Sequence, residues 1–436
     1  MGISQAMYTG VSGLTINADG MSVIANNIAN ANSKGFKRDR AEFEDLLSVD
    51  LGTGNSQLGR GAKLREIKTI HSQGGLQVTD SLTDLAIQGQ GFFIVSNPNT
   101  EVQESAGKFY TRVGSFQFDK DGYLSDAIGS RVQGYIADVD GNLTSRLSDV
   151  RIQTSNVPPA ATRNVMMNVN LDSRKEPLEI DFDINAPEKT SNFSNTISIF
   201  DSQGRTHQMT VWYNRIPDDE GISWQWRATV DGKEVSDSDG PIKQIANGSL
   251  KFDQKGNLIG EETEASEVNF VGGALPQQLL KFDFGKNMGE EGGNGVNAST
   301  CIAAKSNTQF HNQDGFESGN LKSLKIGLDG VVTGLFTNGL QKTIGALAIG
   351  NFENQNGLQK AGRNMFYATQ ESGPAKIGLP QTGTRGSIYS SSLEESNVDL
   401  ATEFVNMIMT QRAFQANSRS ITTTDTMVEE VVNLKR

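Results

Sequence analysis

The chain contains few histidines and cysteines, the residue types most typical of transition-metal and redox sites. Its three histidines, His71, His207 and His311, are far apart and lack the spacing of ligands on one helix. The only cysteine is Cys301, which excludes an internal disulfide and any CxxC metal or redox motif. Lys305 could activate this thiol if it lay nearby, but we interpret Cys301 as an idle or buried small side chain.

Two glycine pairs begin a nucleotide-binding pattern without completing it. Gly89 with Gly91, and Gly52 with Gly54, match the first half of G-x-G-x-x-G, but both pairs lack the third glycine and neither opens a helical pattern. GxSxG, Walker A and HExxH motifs do not occur. The many carboxylates leave a paired-carboxylate hydrolase open, although no spacing points to one. We therefore expect no enzymatic activity, no cofactor and no bound metal.

Short segments in which a glycine closely follows an aspartate recur along the middle of the chain. They include FDKDGYL at 118–124, DVDGNL at 138–143, FDQKGNLIG at 252–260 and LDGVVTG at 328–334. Such segments suggest calcium loops, but Gly141 comes one position too early for an EF-hand and the terminal glutamate is missing. Asp-Gly and Lys-Gly between apolar residues are typical of hairpins, so we predict turns.

All three tryptophans fall in one predicted hairpin, TVWYNRIPDDEGISWQWRATVDG. Trp224 and Trp226 share one strand face with Ala228 and Val230. An exposed aromatic face could bind sugars, whereas a buried one would belong to a core. The pattern favours the core, and a secreted carbohydrate-binding or hydrolytic β protein stays as the alternative function from a different class.

Charge and hydropathy narrow the range of partners. The 436 residues carry a formal net charge of −12, which argues against a nucleic-acid partner because phosphate binding needs a basic surface. No 18-residue apolar run is present, so we expect no membrane-spanning segment. The N-terminal MGISQAMYTGVSGLTINADG lacks the basic and apolar regions of a secretory signal, so export would need another route.

A 3-4 spacing at each chain end predicts a long helix that pairs with the other. The N-terminal helix contains glycines at positions 2, 10, 13 and 20, each costing about 1 kcal/mol relative to alanine, so packing must stabilise it. The C-terminal helix is predicted to start at a capping box, Ser396 to Asp399, with no glycine or proline after it. The ordinary alternative is that both are surface helices of a globular core. We predict an assembly interface, which comprises Ile3, Met7, Leu14, Met21, Ile24, Asn26, Asn27, Ile28, Asn30, Leu400, Phe404, Met407, Gln411, Phe414, Ile421, Val428 and Val432.

Between the helices the pattern changes to period two with turn residues, which predicts sheet. The predicted fold class is mainly β and multidomain, with paired terminal helices in a coiled-coil-like domain and a nested, out-and-back topology. We assign 1–35 and 396–436 to the helical domain, 36–72 to a linker, 73–150 and 318–395 to an inner β domain, and 151–317 to an inserted outer β domain.

Three separated motifs resemble the rod and hook family of bacterial flagellar axial proteins. They are ANNIANANSKGFK, then LTDLAIQGQGFFIV with YTRVGSFQFDKDGYL, and finally LEESNVDLATEFVNMIMTQRAFQANSRSITTTDTMVEEVVNLKR. The resemblance covers residues 1–150 and 318–436. The length of the remaining segment favours the hook branch of the family over the shorter rod branch, and a distal-rod or related axial component is the alternative.

The resemblance implies a structural subunit that self-polymerises into a hollow flexible tube, a universal joint that transmits torque from rod to filament. It implies as partners other copies of the chain, the hook cap, the distal rod, the hook–filament junction proteins and the flagellar type III export apparatus. It also implies a place in the flagellar hook or basal body, outside the cytoplasm after export without a cleaved signal, either extracellular or periplasmic.

The stretch ANNIANANSKGFKRDR is interpreted as the exit from the first helix. Asn26, Asn27, Asn30 and Asn32 could cap backbone groups, and we favour hydrogen bonds from their amides to neighbouring subunits over capping alone. Gly35 is expected to let the chain turn outward, and Phe36 and Lys37 begin the linker.

Overall fold

A computed structural model of the chain describes residues 2–46, 49–50, 57–98, 107–138, 141–152, 157–178, 180–217, 221–238, 240–265, 267–285 and 298–433. Strands dominate these residues, and a long α-helix lies near each end of the chain. The predicted mainly β fold class with terminal helices is confirmed. The chain forms two compact units: Met1–Thr154 with Ser323–Leu335 and Gln341–Arg436, and Ser155–Lys322 with Phe336–Leu340. The finer four-part division stays a prediction.

Two antiparallel helices of the first unit contact each other along their length. Helix α1 spans Gly2–Ala29 and helix α2 spans Leu400–Asn433. Gly10 near the start of α1 faces Ile421 near the end of α2, whereas Asn27 near the end of α1 bonds to Glu403 near the start of α2. At about 1.5 Å per residue the helices are about 42 Å and 51 Å long.

Helix α2 begins a few residues later than the sequence indicates. The Asp399 carboxylate accepts the Ala401 N–H at 3.0 Å and the Thr402 hydroxyl at 2.7 Å. Asp399 is therefore the N-cap. Ser396, predicted to open a capping box, instead bonds its hydroxyl to the Val398 N–H at 3.3 Å, before the helix starts.

Glycines of α1 bring the backbones close together. A Cβ on Gly10 would lie 2.8 Å from Ile421 Cγ1, and one on Gly13 would lie 2.7 Å from Asn417 Nδ2. The missing side chains thus create the space that α2 occupies. Further along, α1 packs on an antiparallel pair of strands. There a Cβ on Gly20 would lie 3.3 Å from the nearest atom of the Phe43 ring.

Segments far apart in the chain pair within the first unit. Leu76–Val78 pairs with Ser392–Glu394, and Leu85–Gln88 pairs with Ser387–Ser390. The strands wholly or mainly in this unit are Asp39–Asp45, Val49–Asp50, Gln57–Leu58, Ala62–Thr69, Leu76–Val78, Leu85–Gln88, Phe92–Ser96, Lys108–Thr111, Gln117–Phe118, Leu124–Ser125, Arg131–Ala137, Leu143–Asp149, Leu321–Ile326, Val331–Phe336, Gln341–Leu347, Ile349–Asn351, Gln359–Gly362, Met365–Tyr367, Lys376–Gly378, Ser387–Ser390 and Ser392–Glu394. Their buried apolar residues, such as Phe93 and Leu347, form the core to which the helical pair is attached.

The second unit contains a five-stranded antiparallel sheet and a three-stranded sheet around one apolar core. Its strands are Asn164–Asn170, Phe193–Phe200, Thr206–Ile216, Ile222–Asp231, Ile242–Phe252, Leu258–Ala265, Glu267–Val268, Gln278–Leu279, Lys281–Asp283 and Asn307–Gln313. Trp224 and Trp226 are fully buried in this core, and Trp226 contacts the rings of Phe282 and Phe284. The expected apolar sheet face is confirmed, and neither side chain offers an exposed sugar-binding platform.

The segments at 118–124, 252–260 and 328–334 form turns, as the sequence indicates, whereas residues 139 and 140 of the segment at 138–143 lie outside the described residues. The Asp119 carboxylate accepts the N–H groups of Asp121 and Tyr123, at 2.9 and 2.8 Å, and Gly122 has φ +81°. The same arrangement recurs at Asp253. These carboxylates stabilise hairpins through backbone hydrogen bonds.

Candidate assembly surface

The predicted seam of α1 lies half-buried in the structure. Met7, Leu14, Met21, Ile24 and Ile28 are all of intermediate exposure, and the Ile3 side chain lies outside the described residues. The most buried positions of α1 are instead the adjacent Gly10, Gly20, Val23 and Asn27. The side of α1 that meets its own chain is thus made of small and amide residues.

The predicted seam of α2 is largely exposed, because a neighbouring face makes the contact with α1. That contact face contains Glu403 and Thr424, both buried, and the half-buried Asn417. Ile421 lies on this face against Gly10, Met407 lies at its edge, and both are of intermediate exposure. The remaining seam residues are exposed: Leu400, Phe404, Gln411, Phe414, Val428 and Val432. Large exposed apolar side chains on a helix mark a surface that another element covers.

Asn27 makes its hydrogen bonds inside the chain. Its Nδ2 donates to the Asp39 carbonyl at 2.8 Å and to Glu403 Oε2 at 3.4 Å, and its Oδ1 accepts the Asp39 N–H at 2.9 Å. The amide is almost fully buried. The sequence predicted that this amide contacts neighbouring subunits, but in the structure it joins α1, the strand Asp39–Asp45 and α2. A buried amide must be hydrogen-bonded, and here its partners all lie within the same chain.

The other amides of this stretch differ in their environment. Asn30 Nδ2 donates to the Asn26 carbonyl at 2.9 Å, and Asn30 Oδ1 accepts the Ser33 hydroxyl at 3.1 Å, so Asn30 closes the end of α1. Asn26 and Asn32 are exposed. These two are the amides of the stretch that remain most accessible to a neighbour.

Gly35 turns the chain away from α1. Its φ is +67°, and a Cβ there would lie 2.8 Å from the Val113 nitrogen and 2.9 Å from the Arg112 carbonyl carbon. Both conditions favour glycine. Phe36 follows as a buried side chain, with the Lys360 ammonium 5.7 Å from the centre of its ring.

A buried cluster of three charges lies directly after this turn. Lys37 Nζ donates to Glu394 Oε1 at 2.5 Å, and Arg112 Nη1 donates to Glu394 Oε2 at 3.2 Å. The three side chains are at most 4% exposed. Burial lowers the pKa of both Lys37 and Arg112, and the Glu394 charge opposes this shift. One carboxylate thus fixes the exit of α1 to the strand that leads into α2.

A second amide completes this junction. Asn397 Oδ1 accepts the Arg38 N–H at 2.7 Å, and its Nδ2 donates to the carbonyls of Ile70 and Ser72 at 2.8 and 3.1 Å. The sequence reading missed Asn397, Glu394 and Arg112. The run of polar residues EESN in front of the long helix was the available sign of a polar junction. A local pattern of this kind does not show which distant residues the side chains contact.

His71, His207 and Cys301 occupy structural positions, whereas His311 is exposed. Burial, followed by the charges of Lys37 and Arg112, lowers the pKa of His71 to about 4, so the ring is neutral near pH 7. His207 Nδ1 lies 2.7 Å from Glu234 Oε2, and its ring stacks on Phe270. Cys301 is buried, which raises the pKa of its thiol. In the described part of the chain no three or more His, Cys, Asp or Glu side chains converge on a metal-sized site.

No helix within the described residues combines the length and the apolar character of a membrane span. Neither α1 nor α2 is apolar enough over the length that a bilayer requires.

Four models of flagellar protein families match successive parts of the chain. They are described as flagella basal body rod protein at residues 7–37, flagellar hook protein FlgE/F/G D1 domain at 86–194, flagellar basal body protein FlaE D2 domain at 170–316, and flagellar basal body rod FlgEFG protein C-terminal at 389–434.

Curated relatives match the chain from end to end. The flagellar hook protein FlgE of Treponema pallidum is 35% identical over 99% of this chain and 100% of its own length. The flagellar hook protein FlgE of Salmonella typhimurium is 32% identical, with 100% of both chains covered. The chain belongs to the flagellar hook protein family.

A solved structure of a hook protein has a similar fold. The flagellar hook protein FlgE2 of Helicobacter pylori superimposes with a TM-score of 0.52 at 16% identity, covering 73% of this chain and 100% of its own. Membership of the hook family makes the chain a structural subunit of the flagellar hook, within the basal-body apparatus of motility. The family is structural rather than enzymatic.

Proposed function

We propose that this hook protein polymerises through its terminal helices into a hollow, flexible tube that transmits torque from rod to filament as a universal joint. The observation that carries the proposal is the apolar surface of α2. Five large side chains within its first ten residues are 42–63% exposed, although the opposite face of the helix already packs on α1. They are Leu400, Phe404, Val405, Ile408 and Met409.

A second copy is the partner that best fits this surface. Leaving an apolar stripe in water is unfavourable by about 25 cal/mol per Å², and membership of the hook family supplies a reason for many identical chains to meet. The proposed interface comprises the seam residues predicted from the sequence, with Asn27 as a positioning residue inside the subunit. The exposed Asn26 and Asn32 are proposed to bond to neighbouring copies.

Further partners and the location follow from the same role. We propose contacts with the hook cap, the distal rod, the hook–filament junction proteins and the flagellar type III export apparatus. The assembled protein would lie outside the cytoplasm, in an external or periplasmic flagellum, and would have no enzymatic activity. We also propose that residues 151–317 form an outer domain on the tube surface and that 73–150 with 318–395 form its wall.

Charge placed on the exposed apolar surface tests the proposal. We expect Phe404→Asp to raise the protein concentration needed for tube formation at least about tenfold, because burying a carboxylate in an apolar contact costs several kcal/mol. Thr422→Asp is the matched control, since it is exposed, lies five helical turns further on and faces the same side of α2. Electron microscopy and sedimentation measure assembly, and circular dichroism checks the fold. Normal tubes from folded Phe404→Asp protein would contradict the proposal.

A further inference from the structure

The exposed apolar residues of α2 form two separate patches with the same internal spacing. The junction patch comprises Phe404, Val405, Ile408 and Met409, and the tip patch comprises Met427, Val428, Val431 and Val432. Each is an i, i+1, i+4, i+5 block. Among the exposed residues between them, 410–426, Phe414 is the one large apolar side chain. The centres of the patches lie about 35 Å apart along the helix axis at 1.5 Å per residue.

The two patches face different sides of α2. At 100° per residue, the junction patch is centred about 140° away from the tip patch. The junction patch points away from α1, because it lies roughly opposite the buried Glu403 and Thr424. The tip patch continues the side that faces α1 elsewhere.

The outer half of the tip patch lies beyond the described start of α1. In the antiparallel pair Gly10 meets Ile421 and Asn27 meets Glu403, so the position numbers of facing residues add up to about 430. The described part of α1 starts at Gly2, opposite about residue 428. Val431 and Val432 lie beyond that point on the inner face of α2, and they are 54% and 61% exposed.

We infer that copies of the chain join head to tail, with the junction patch of one subunit packed against the tip patch of the next. This inference rests on the proposed polymerisation and names the surfaces that meet. Two parallel helices placed side by side touch through faces that point in opposite directions, and the two patches, about 140° apart, come close to this arrangement, whereas a two-fold contact would use the same face twice. Because each subunit is displaced along the axis from the one before it, this contact between unlike patches does not close into a ring and continues as an open filament. The neighbouring subunits are displaced along the axis by about 35 Å, the spacing of the patches.

Thiol cross-linking between two single variants tests this arrangement. Val405→Cys and Val431→Cys replace exposed valines by a side chain of similar size, and the native Cys301 is buried. The full-length variants are mixed in equal amounts, assembled into tubes, and treated with a short bifunctional thiol reagent. We expect a cross-linked dimer from the mixture and none from either variant alone.

Two controls make the result specific. Gln415→Cys lies exposed between the patches, and mixed with Val405→Cys it should give no dimer. Cross-linking of Val405→Cys with itself, or tubes from the mixture without cross-linked dimers, would overturn the head-to-tail arrangement while leaving polymerisation intact. Failure of the unmodified chain to form any tube would instead contradict the proposed function.

Discussion

The helical pair and the sheet of the second unit are held together by different kinds of side chain. The sheet buries Trp224, Trp226 and Tyr213 completely in one apolar cluster. The helices meet through glycines, an asparagine and a glutamate, and leave their larger apolar side chains in water. The sheet therefore contains its own stabilising core, whereas the helices bury little apolar surface within the chain, as the proposed assembly through them requires.

The largest expected effect lies in the sheet. Trp226→Ala should lower the free energy of unfolding of the second unit by about 3–5 kcal/mol, because it removes a fully buried indole from a packed core. Trp212→Ala, at a partly exposed position, serves as the control. Guanidinium unfolding followed by circular dichroism measures both. Equal losses from the two variants would contradict the assignment of the core.

A somewhat smaller effect is expected at the attachment of the helical pair. Glu394→Gln leaves the charges of Lys37 and Arg112 buried without their carboxylate, which should cost about 3 kcal/mol of stability in the first unit. The neighbouring Glu395 provides a matched control, because its contact with Lys34 is long and solvent-exposed. Glu395→Gln should change stability by less than about 0.5 kcal/mol. Thermal unfolding measures both variants, and equal losses of stability would contradict this account.

The smallest of these effects concerns the contact between the helices. Gly10→Ala favours an isolated helix by about 1 kcal/mol, but its Cβ would lie 2.8 Å from Ile421 Cγ1. We expect the free chain to gain helicity while the critical concentration for tube formation rises several-fold, since overpacking costs about 1–3 kcal/mol. Gly20→Ala, whose Cβ would meet only the far edge of the Phe43 ring at 3.3 Å, should have the weaker effect. Improved assembly of Gly10→Ala would contradict the interpretation that this glycine is needed for the close approach of α2 to α1.

The sequence alone predicted the elements better than their contacts. The period of apolar residues placed a helix near each end, because amphipathic spacing is a local property. Gly10 and Gly13 were read only as costs in helix propensity, since a missing side chain shows no partner in a sequence. The face of α2 that meets α1 was missed for the same reason, because it is built from Glu403, Asn417 and Thr424 rather than from apolar residues.

The junction illustrates a second limit. Lys37 and Glu394 are 357 positions apart, and a charge pair of that separation has no local pattern. Asn27 belonged to a stretch that was correctly interpreted as a helix exit, but its partners Asp39 and Glu403 come from two other segments. Long-range polar contacts depend on the completed fold, which is why the amide was first assigned to a neighbouring subunit.

Hydrogen exchange measured on the free subunit and on assembled tubes tests the central claim most directly. In the free subunit we expect the backbone amides of α1 and α2 to exchange far faster than those of Ile222–Asp231, because the helices bury little apolar surface by themselves. In tubes the helical amides should become protected, while the strand amides stay as they were. Slow exchange of both helices in a solitary subunit would contradict the claim that they are stabilised by assembly.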